Sequence, residues 1–521
     1  VSRSTAHGET FYSRIKQWAY TSDQEATTHA IELPVSTTSE AFSNFDGITY
    51  GKGASVLKQL PHYLGEENFR RGVARYLRKH AYSNTTLDDF IGELGRAADK
   101  DLTNWTRQWL FETGLNTLQA RFNCSADGKW LSQLRLEQSA PAEYPTLREQ
   151  TIQIGLFTID QLTNQAVTQA IIPVTYTGAS TAVPFAANTP CPDLIYPNLD
   201  DWGYVKVILD NESHTTLMQH MAAFKDDGLR LMLWETLWEA VQDTRLPLST
   251  YSNFAPKLLA AETNSKIIER VANTLSWSYE YFTLLTNTEQ DYNDQRRRIE
   301  NFFAQEILTR TNETDRQKLF FQQFIASAHT EARLGYLRAL LLKQEVVSGL
   351  TLDQDLRWQI LLRLNQFDYR DYVTLTEVET KADTSQRGIQ SALAADAIRP
   401  NAVVKQIWLD QIFARDSHYS LDQIRTVMQH LFPVEQSGLR AQFSEQIITR
   451  SSALDSATDD QTMKNISTYL APNTCTQASA AQLAAVKDTL AELRPILGKN
   501  YRIAHHNNLR CLRVGELLLK Q

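Results

Sequence analysis

No run in this 521-residue chain approaches the roughly 20 consecutive apolar residues that a membrane span needs. Positive charge is not in surplus either: 52 Lys and Arg stand against 60 Asp and Glu, a net −8 at pH 7. A nucleic-acid surface wants a basic stripe, so that class of partner is excluded. Cysteine is scarce. Cys124, Cys191, Cys475 and Cys511 are too few and too scattered for a disulfide scaffold or a Cys-x-x-Cys metal site. They read as buried thiols, and a Cys475–Cys511 bridge stays open only if their helices touch. Few cysteines and an acidic balance suit the cytoplasm. Metal-ligand spacing is missing as well. None of the eleven histidines belongs to a His-Glu-x-x-His helix, where two histidines one turn apart hold zinc and the glutamate serves as base. His7-Gly8-Glu9 has its ligands in the wrong order, and adjacent His505 and His506 cannot point the same way from a helix. No metal is therefore expected to be bound by this chain. It begins at Val1 with no charged-then-apolar leader, so a leader, or something longer, is expected to have preceded it.

What is present suggests a mainly α protein with a small β domain. The length exceeds a single core, and 42% apolar with 21% charged residues is ordinary for a soluble globular chain. Residues 1–118 read as helices with tight connections. Asn44, Asp46 and Gly47 favour a turn; Gly51, Gly53 and Ala54 then strip one side of a helix of bulk, so another backbone or a ligand can come close. Val56, Leu57 and Leu60 continue an apolar face, and Pro61 predicts a kink or an early stop. Residues 64–81 place Phe69, Val73, Tyr76 and Leu77 on one face, with acids leading and bases trailing. Thr86 and Asp89 make a capping box for a helix over 87–98; Trp105, Trp109 and Leu110 form the next stripe, and Gly114 marks a stop.

From 119 to 209 the period falls to two. Residues 130–137 alternate after an Asp127-Gly128 turn, and 151–159 and 170–176 do the same, which predicts a small antiparallel β-sandwich. From 210 to 521 helical periodicity dominates, and only seven glycines occur after 210. Leu229, Met232, Leu233, Leu237 and Val241 share one face. Short polar connectors between helices of roughly 10–14 residues predict antiparallel pairs stacked into an α-solenoid.

Tyr50 lies near a helix start among small residues, with a phenol able to donate one hydrogen bond. Taken alone, such a tyrosine is a half-buried core residue more often than a catalyst. Ile48-Thr49-Tyr50-Gly51-Lys52-Gly53-Ala54-Ser55-Val56-Leu57, however, resembles the Tyr-x-Lys-Gly-Ala helix of the aminopeptidase N family of zinc exopeptidases. Thr27-Thr28-His29-Ala30-Ile31 resembles the Thr-His-Pro-Ile segment that precedes it, with Ala30 in the place of the proline. Residues 197–207 resemble the strand closing the family's β-sandwich, 226–238 its next helix pair, and 472–475 with 508–513 its carboxyl terminus.

The resemblance implies that 1–118 is the helical end of a thermolysin-like catalytic domain, 119–209 a β-sandwich spacer, and 210–521 the helical solenoid domain. It implies that Tyr50 donates to the oxyanion of the tetrahedral intermediate, a role that a preorganised neutral donor suits. It also implies peptide substrates and a zinc ion in the parent enzyme. The family's metal motif and its motif for the substrate's amino group both precede the tyrosine helix. This chain is thus expected to be the carboxyl-terminal portion, inactive alone, with zinc ligands and general base upstream. Apolar surface meant for that missing part would be exposed, making it the natural partner. A different reading is a non-catalytic paralogue that binds peptides or partners on the solenoid; the retained tyrosine argues against it, having no oxyanion to serve. A scaffold unrelated to peptidases would leave the ordered local resemblances unexplained. Arg502, Arg510 and Arg513 are candidates among many for holding a substrate carboxylate, and the sequence does not choose between them.

Overall fold

Side-chain periodicity turns into structure along most of the chain. The computed structural model describes residues 6–286, 292–454 and 458–520, so the expected start at Val1 lies outside the described residues. Two compact units divide at 240/241.

The first unit begins with helices. A wide π-helical turn, Phe11–Lys16, runs into the helix Gln17–Asp23; a second, Ile48–Lys52, runs into Gly53–Leu64. Ala19, Val56, Leu60, Leu94, Trp105 and Trp109 form the buried core between these helices and their neighbours. The helix Glu66–Lys79 carries Glu66 and Glu67 first and Arg78 and Lys79 last, as its dipole favours, and Thr86 and Asp89 form the capping box of Leu87–Ala98. Two expected core residues are on the surface instead: Leu57 is 50% and Leu77 61% exposed. Each lies one residue past a buried or half-buried stripe, which turns it about 100° away. Pro61 does not stop its helix, which continues to Leu64 and ends at Gly65, with φ of +85°. The carbonyl that the proline leaves unpaired belongs to exposed Leu57, where water can serve it.

Seven strands follow: β1 (Thr117–Cys124), β2 (Leu131–Ser139), β3 (Gln150–Asp160), β4 (Gln165–Tyr176), β5 (Ser180–Ala182), β6 (Leu194–Tyr196) and β7 (Lys206–Ile208). They form two sheets of order β5-β2-β1-β7 and β4-β3-β6. Leu118, Leu136, Ile152, Ile154, Leu156 and Ile195 fill the space between them. Gly128, at φ +72°, supplies the left-handed residue of the β1–β2 turn. The sandwich is not wholly antiparallel, because β7 pairs with β1 in parallel.

The cysteines correct the expectation of free thiols: all four are paired. A bridge between Trp130 and Pro190 brings Cys191 beside the end of β1, where it joins Cys124 with Cα atoms 5.7 Å apart. Cys475 and Cys511 join with Cα atoms 5.5 Å apart, because the last helix returns past residue 475.

The second unit is a two-layered helical solenoid. Every second helix packs on the one two before it: Ser265–Thr286, Thr314–Ser327, Gln354–Gln366, Gln386–Ala397, Leu421–His430, Asp460–Leu470 and Pro495–Leu519. Long side chains tie successive helices by donating to orphan carbonyls at helix ends. Arg316 donates to Leu259 and Ala260, Gln317 to Ile307, Arg363 to Ala328, Lys405 to Ala397, and Arg440 to Tyr469 and Ala471. Among the described residues no helix is long and apolar enough to cross a membrane.

Candidate active site

Asp46 organises the segment that carries Tyr50. One carboxylate oxygen, Oδ1, accepts the amides of Ile48 (2.9 Å) and Thr49 (3.3 Å), while the Asp46 carbonyl accepts the amide of Tyr50 (3.3 Å). The other oxygen, Oδ2, meets His29 Nε2 at 2.9 Å, and His29 Nδ1 meets the Ala30 carbonyl at 2.7 Å. The start of the helix is thereby capped and tied to the loop before it.

The glycines do what bare backbone allows. A Cβ on Gly51 would lie 2.5 Å from the Ile15 carbonyl oxygen, and one on Gly47 2.6 Å from that of Trp18. Both therefore let this segment press against the helical stretch that holds Ile15 and Trp18. A Cβ on Gly53 would find its nearest atom, on Ile31, 4.0 Å away, and Ala54 is exposed. The bare side expected from the sequence is thus filled at Gly51 by another backbone, and open at Gly53 and Ala54.

Lys52 points the opposite way from Tyr50. Its ammonium lies 3.0 Å from the Asp23 carboxylate, both side chains wholly buried, and donates to the Gly114 carbonyl at 3.2 Å. Burial pushes the Lys52 ammonium below its ordinary value, Asp23 pulls it back up, and nearby Arg148 pushes it down. Arg148, itself buried, donates to the carbonyls of Gln108, Glu112 and Thr113 and to Asn116 Oδ1, tying the third π-helical turn, Arg107–Phe111, to the sandwich. A second tie is made by Asp201, whose carboxylate takes both Lys16 and Lys58. Burial pushes Lys16 down to about 8. The sandwich is therefore a bolted support for the tyrosine helix.

Tyr50 itself is 50% exposed, its ring 6.1 Å from that of Phe45, and its hydroxyl has no hydrogen-bond partner among the described residues. It sits on the surface rather than among the core residues that physics alone favoured. Phe45 beside it is exposed too, at 57%, as are Ile15 (37%) and Trp18 (43%) on the helical stretch packed against this segment. A hollow of about 750 Å³ in the same unit is lined by Ile91, Leu102 and Phe111 and does not include Tyr50. Of the three candidate arginines, Arg502 is engaged with Asp488 at 2.9 Å, while Arg510 and exposed Arg513 both lie near Tyr281. Arg510 is 9% exposed and sits 3.1 Å from His506 Nε2.

Sequence reasoning gave Asp46 only a place in a turn and His29 only a place in a resembling segment, and it passed over Asp23 and Arg148. Asp46 carried a signal, as an N-capping residue between a turn and an apolar run. Lys52 inside that run signalled a buried charge, but nothing in the chain order marks Asp23 as its partner.

In chain order, an exposed phenol at a capped helix start and a sandwich that supports it precede a helical solenoid. Residues 3–109 match the Peptidase family M1 domain and residues 194–500 the ERAP1-like C-terminal domain. The chain belongs to the aminopeptidase N family of M1 peptidases. Aminopeptidase N of Streptomyces lividans is 31% identical over 414 residues, which cover 76% of this chain and 46% of that protein. Tricorn protease-interacting factor F2 of Thermoplasma volcanium is 26% identical over 263 residues, 50% of this chain and 30% of its own length. Leucyl aminopeptidase of Saccharolobus solfataricus is 41% identical over 92 residues, 18% of this chain and 12% of that protein. The chain thus spans less than half the length of these relatives. Aminopeptidases of this family are zinc enzymes. Among the described residues no three His, Cys, Asp or Glu side chains gather where a metal could be held, so the residues present do not fit that ion.

Proposed function

We propose that this chain is the carboxyl-terminal part of a zinc-dependent aminopeptidase that removes amino-terminal residues from peptides, with the zinc ligands and general base upstream. In this reading residues 1–118 complete the catalytic domain, 119–209 form the supporting sandwich, and 210–521 the helical domain. Tyr50 donates its phenolic hydrogen to the oxyanion that forms on the scissile carbonyl. The observation that carries the reading is the state of Tyr50: half-exposed, unpartnered at its hydroxyl, yet held on a helix start fixed by Asp46 and Gly51. A donor poised in that way needs little reorganisation as negative charge develops. The chain alone is then expected to be inactive.

Exposed Phe45 beside Tyr50, with exposed Ile15 and Trp18 on the helical stretch packed against the same segment, supports the upstream half as the surface that covers this region. The pairing of all four cysteines favours an oxidising compartment over the cytoplasm that their low number suggested. The test of the catalytic assignment is Tyr50→Phe in the full-length enzyme. Turnover of an aminoacyl anilide should fall by roughly 10²–10³ with the melting temperature unchanged; undiminished turnover would remove Tyr50 from the chemistry.

A further inference from the structure

We infer that the hollow of about 750 Å³ in the first unit is a binding site for a free α-amino acid with an apolar side chain. It is lined from the helix Leu87–Ala98, the short helix Thr103–Thr106 and the π-helical turn after it, and its volume suits a small molecule. Gly92 lies in the middle of the first of these helices, where glycine costs stability relative to alanine. Its neighbour Gly95 is explained by packing, since a Cβ there would stand 2.9 Å from the Lys100 carbonyl oxygen. At Gly92 no backbone presses: a Cβ would meet only the far end of the Arg96 side chain, at 3.5–3.8 Å. The bare backbone at Gly92 is thus presented to the hollow. Thr106, nine-tenths buried, lines the same hollow, and its hydroxyl has no hydrogen-bond partner among the described residues. A buried hydroxyl without a partner carries a desolvation penalty that a ligand's polar atom removes. Ile91, Leu102 and half-exposed Phe111 add apolar surface for a small side chain.

The charges around the hollow select the ligand. Lys100 rests its ammonium 3.4 Å from the centre of the Tyr63 ring and makes no ion pair among the described residues. Asp99, which ends the helix Leu87–Ala98 in a left-handed conformation at φ +49°, makes none either. Both line the hollow, so a cation and an anion stand there without neutralising each other. The carbonyl end of the helix adds to the negative field beside Asp99 and favours an ammonium on that side. A simple anion would also meet Asp99 and Asp101, and a simple cation would also meet Lys100 and Arg107. An α-amino acid carries a carboxylate and an ammonium on one carbon and answers both signs together. Its side chain then lies on the apolar wall, and Gly92 leaves room for its backbone-like core.

The experiment is calorimetric titration of the full-length enzyme with L-leucine, leucinamide and N-acetylleucine. Binding is read without turnover, so the result stands whether or not Tyr50 is catalytic. A leucine held at the catalytic centre would be common to every variant, and the count of sites separates the two. Gly92→Leu, which fills the hollow, should remove one leucine site and leave turnover of an aminoacyl anilide as it was. Lys100→Met keeps the stem over Tyr63 and loses the charge. It should weaken leucine at that site about 10- to 100-fold and leave leucinamide, which has no carboxylate, unchanged. Asp99→Asn, which suits the left-handed backbone, should weaken leucine by a similar factor and leave N-acetylleucine, which has no ammonium, unchanged. Absence of leucine binding, or the same binding in all three variants, would overturn the inference. So would equal affinity for leucine and its two blocked forms, because the hollow would then read the side chain alone. Should Gly92→Leu fail to fold, Thr106→Val, which removes only the hydroxyl, should weaken leucine with the melting temperature held or raised; undiminished affinity there would equally refute the site.

Discussion

Replacing Lys52 with methionine tests whether the tyrosine helix is seated on a buried ion pair. The ammonium lies 3.0 Å from Asp23, with both side chains wholly out of water, so the substitution strands a carboxylate in the core. Asp23 keeps the Thr28 hydroxyl at 2.6 Å but loses its counter-ion. Breaking such a pair from one side costs about 3–5 kcal/mol. Arg148, which attracts Asp23 from farther off, pulls the figure towards the lower end. For a unit ending near residue 240, each kcal/mol is worth about 2–4 °C, so melting should fall by roughly 6–12 °C. Lys52→Met with Asp23→Asn removes both charges and should regain most of that loss, because two neutral groups carry no unpaid desolvation. Urea unfolding followed by tryptophan fluorescence, on the single and double variants, measures the coupling. If the double variant were as unstable as Lys52→Met alone, the loss would come from packing, and the ion pair would explain nothing about this helix.

Other expectations follow from single groups. Burial pushes Lys405, wholly buried, from 10.5 down to about 7. Its folded form therefore holds fewer protons than the unfolded chain between those values, and stability should rise with pH from about 7 to 10.5, by up to about 5 kcal/mol. Lys405→Met should flatten that rise in a pH series of urea unfolding; parallel curves would contradict the assignment. Gly51→Ala should destabilise by about 1–3 kcal/mol, since the new Cβ meets the Ile15 carbonyl oxygen at 2.5 Å. Gly53→Ala, with its nearest contact at 4.0 Å, should instead be neutral or stabilising by up to about 1 kcal/mol, and equal effects at the two sites would refute the packing described. Thiol titration of the denatured chain without reductant should find no free cysteine, and replacing Cys475 and Cys511 together by serine should cost about 2–4 kcal/mol by urea unfolding.

Local order was written plainly in the chain. The capping box at Thr86, the hairpin turn at Gly128, the switch of period near 119 and the helical run after 210 depend on contacts within a few residues, which sequence spacing records. The same spacing misjudged Leu57 and Leu77, because whether a residue 100° off a stripe is covered depends on what packs beside it. Tyr50 was visible through its neighbours Gly51, Lys52, Gly53 and Ala54, whereas its supports were not. Asp23 meets Lys52 from 29 positions away, Arg148 reaches back to 108–116, and Asp201 takes Lys16 across more than 180 residues. Cys124 finds Cys191 only because the isolated bridge between Trp130 and Pro190 brings the segment before β6 beside the end of β1. Such pairings are decided by the meeting of elements distant in the chain, and a buried charge or thiol takes the partner that burial leaves within reach. Sequence alone set the elements and the tyrosine; tertiary packing chose which charges, rings and sulfurs hold that tyrosine in place.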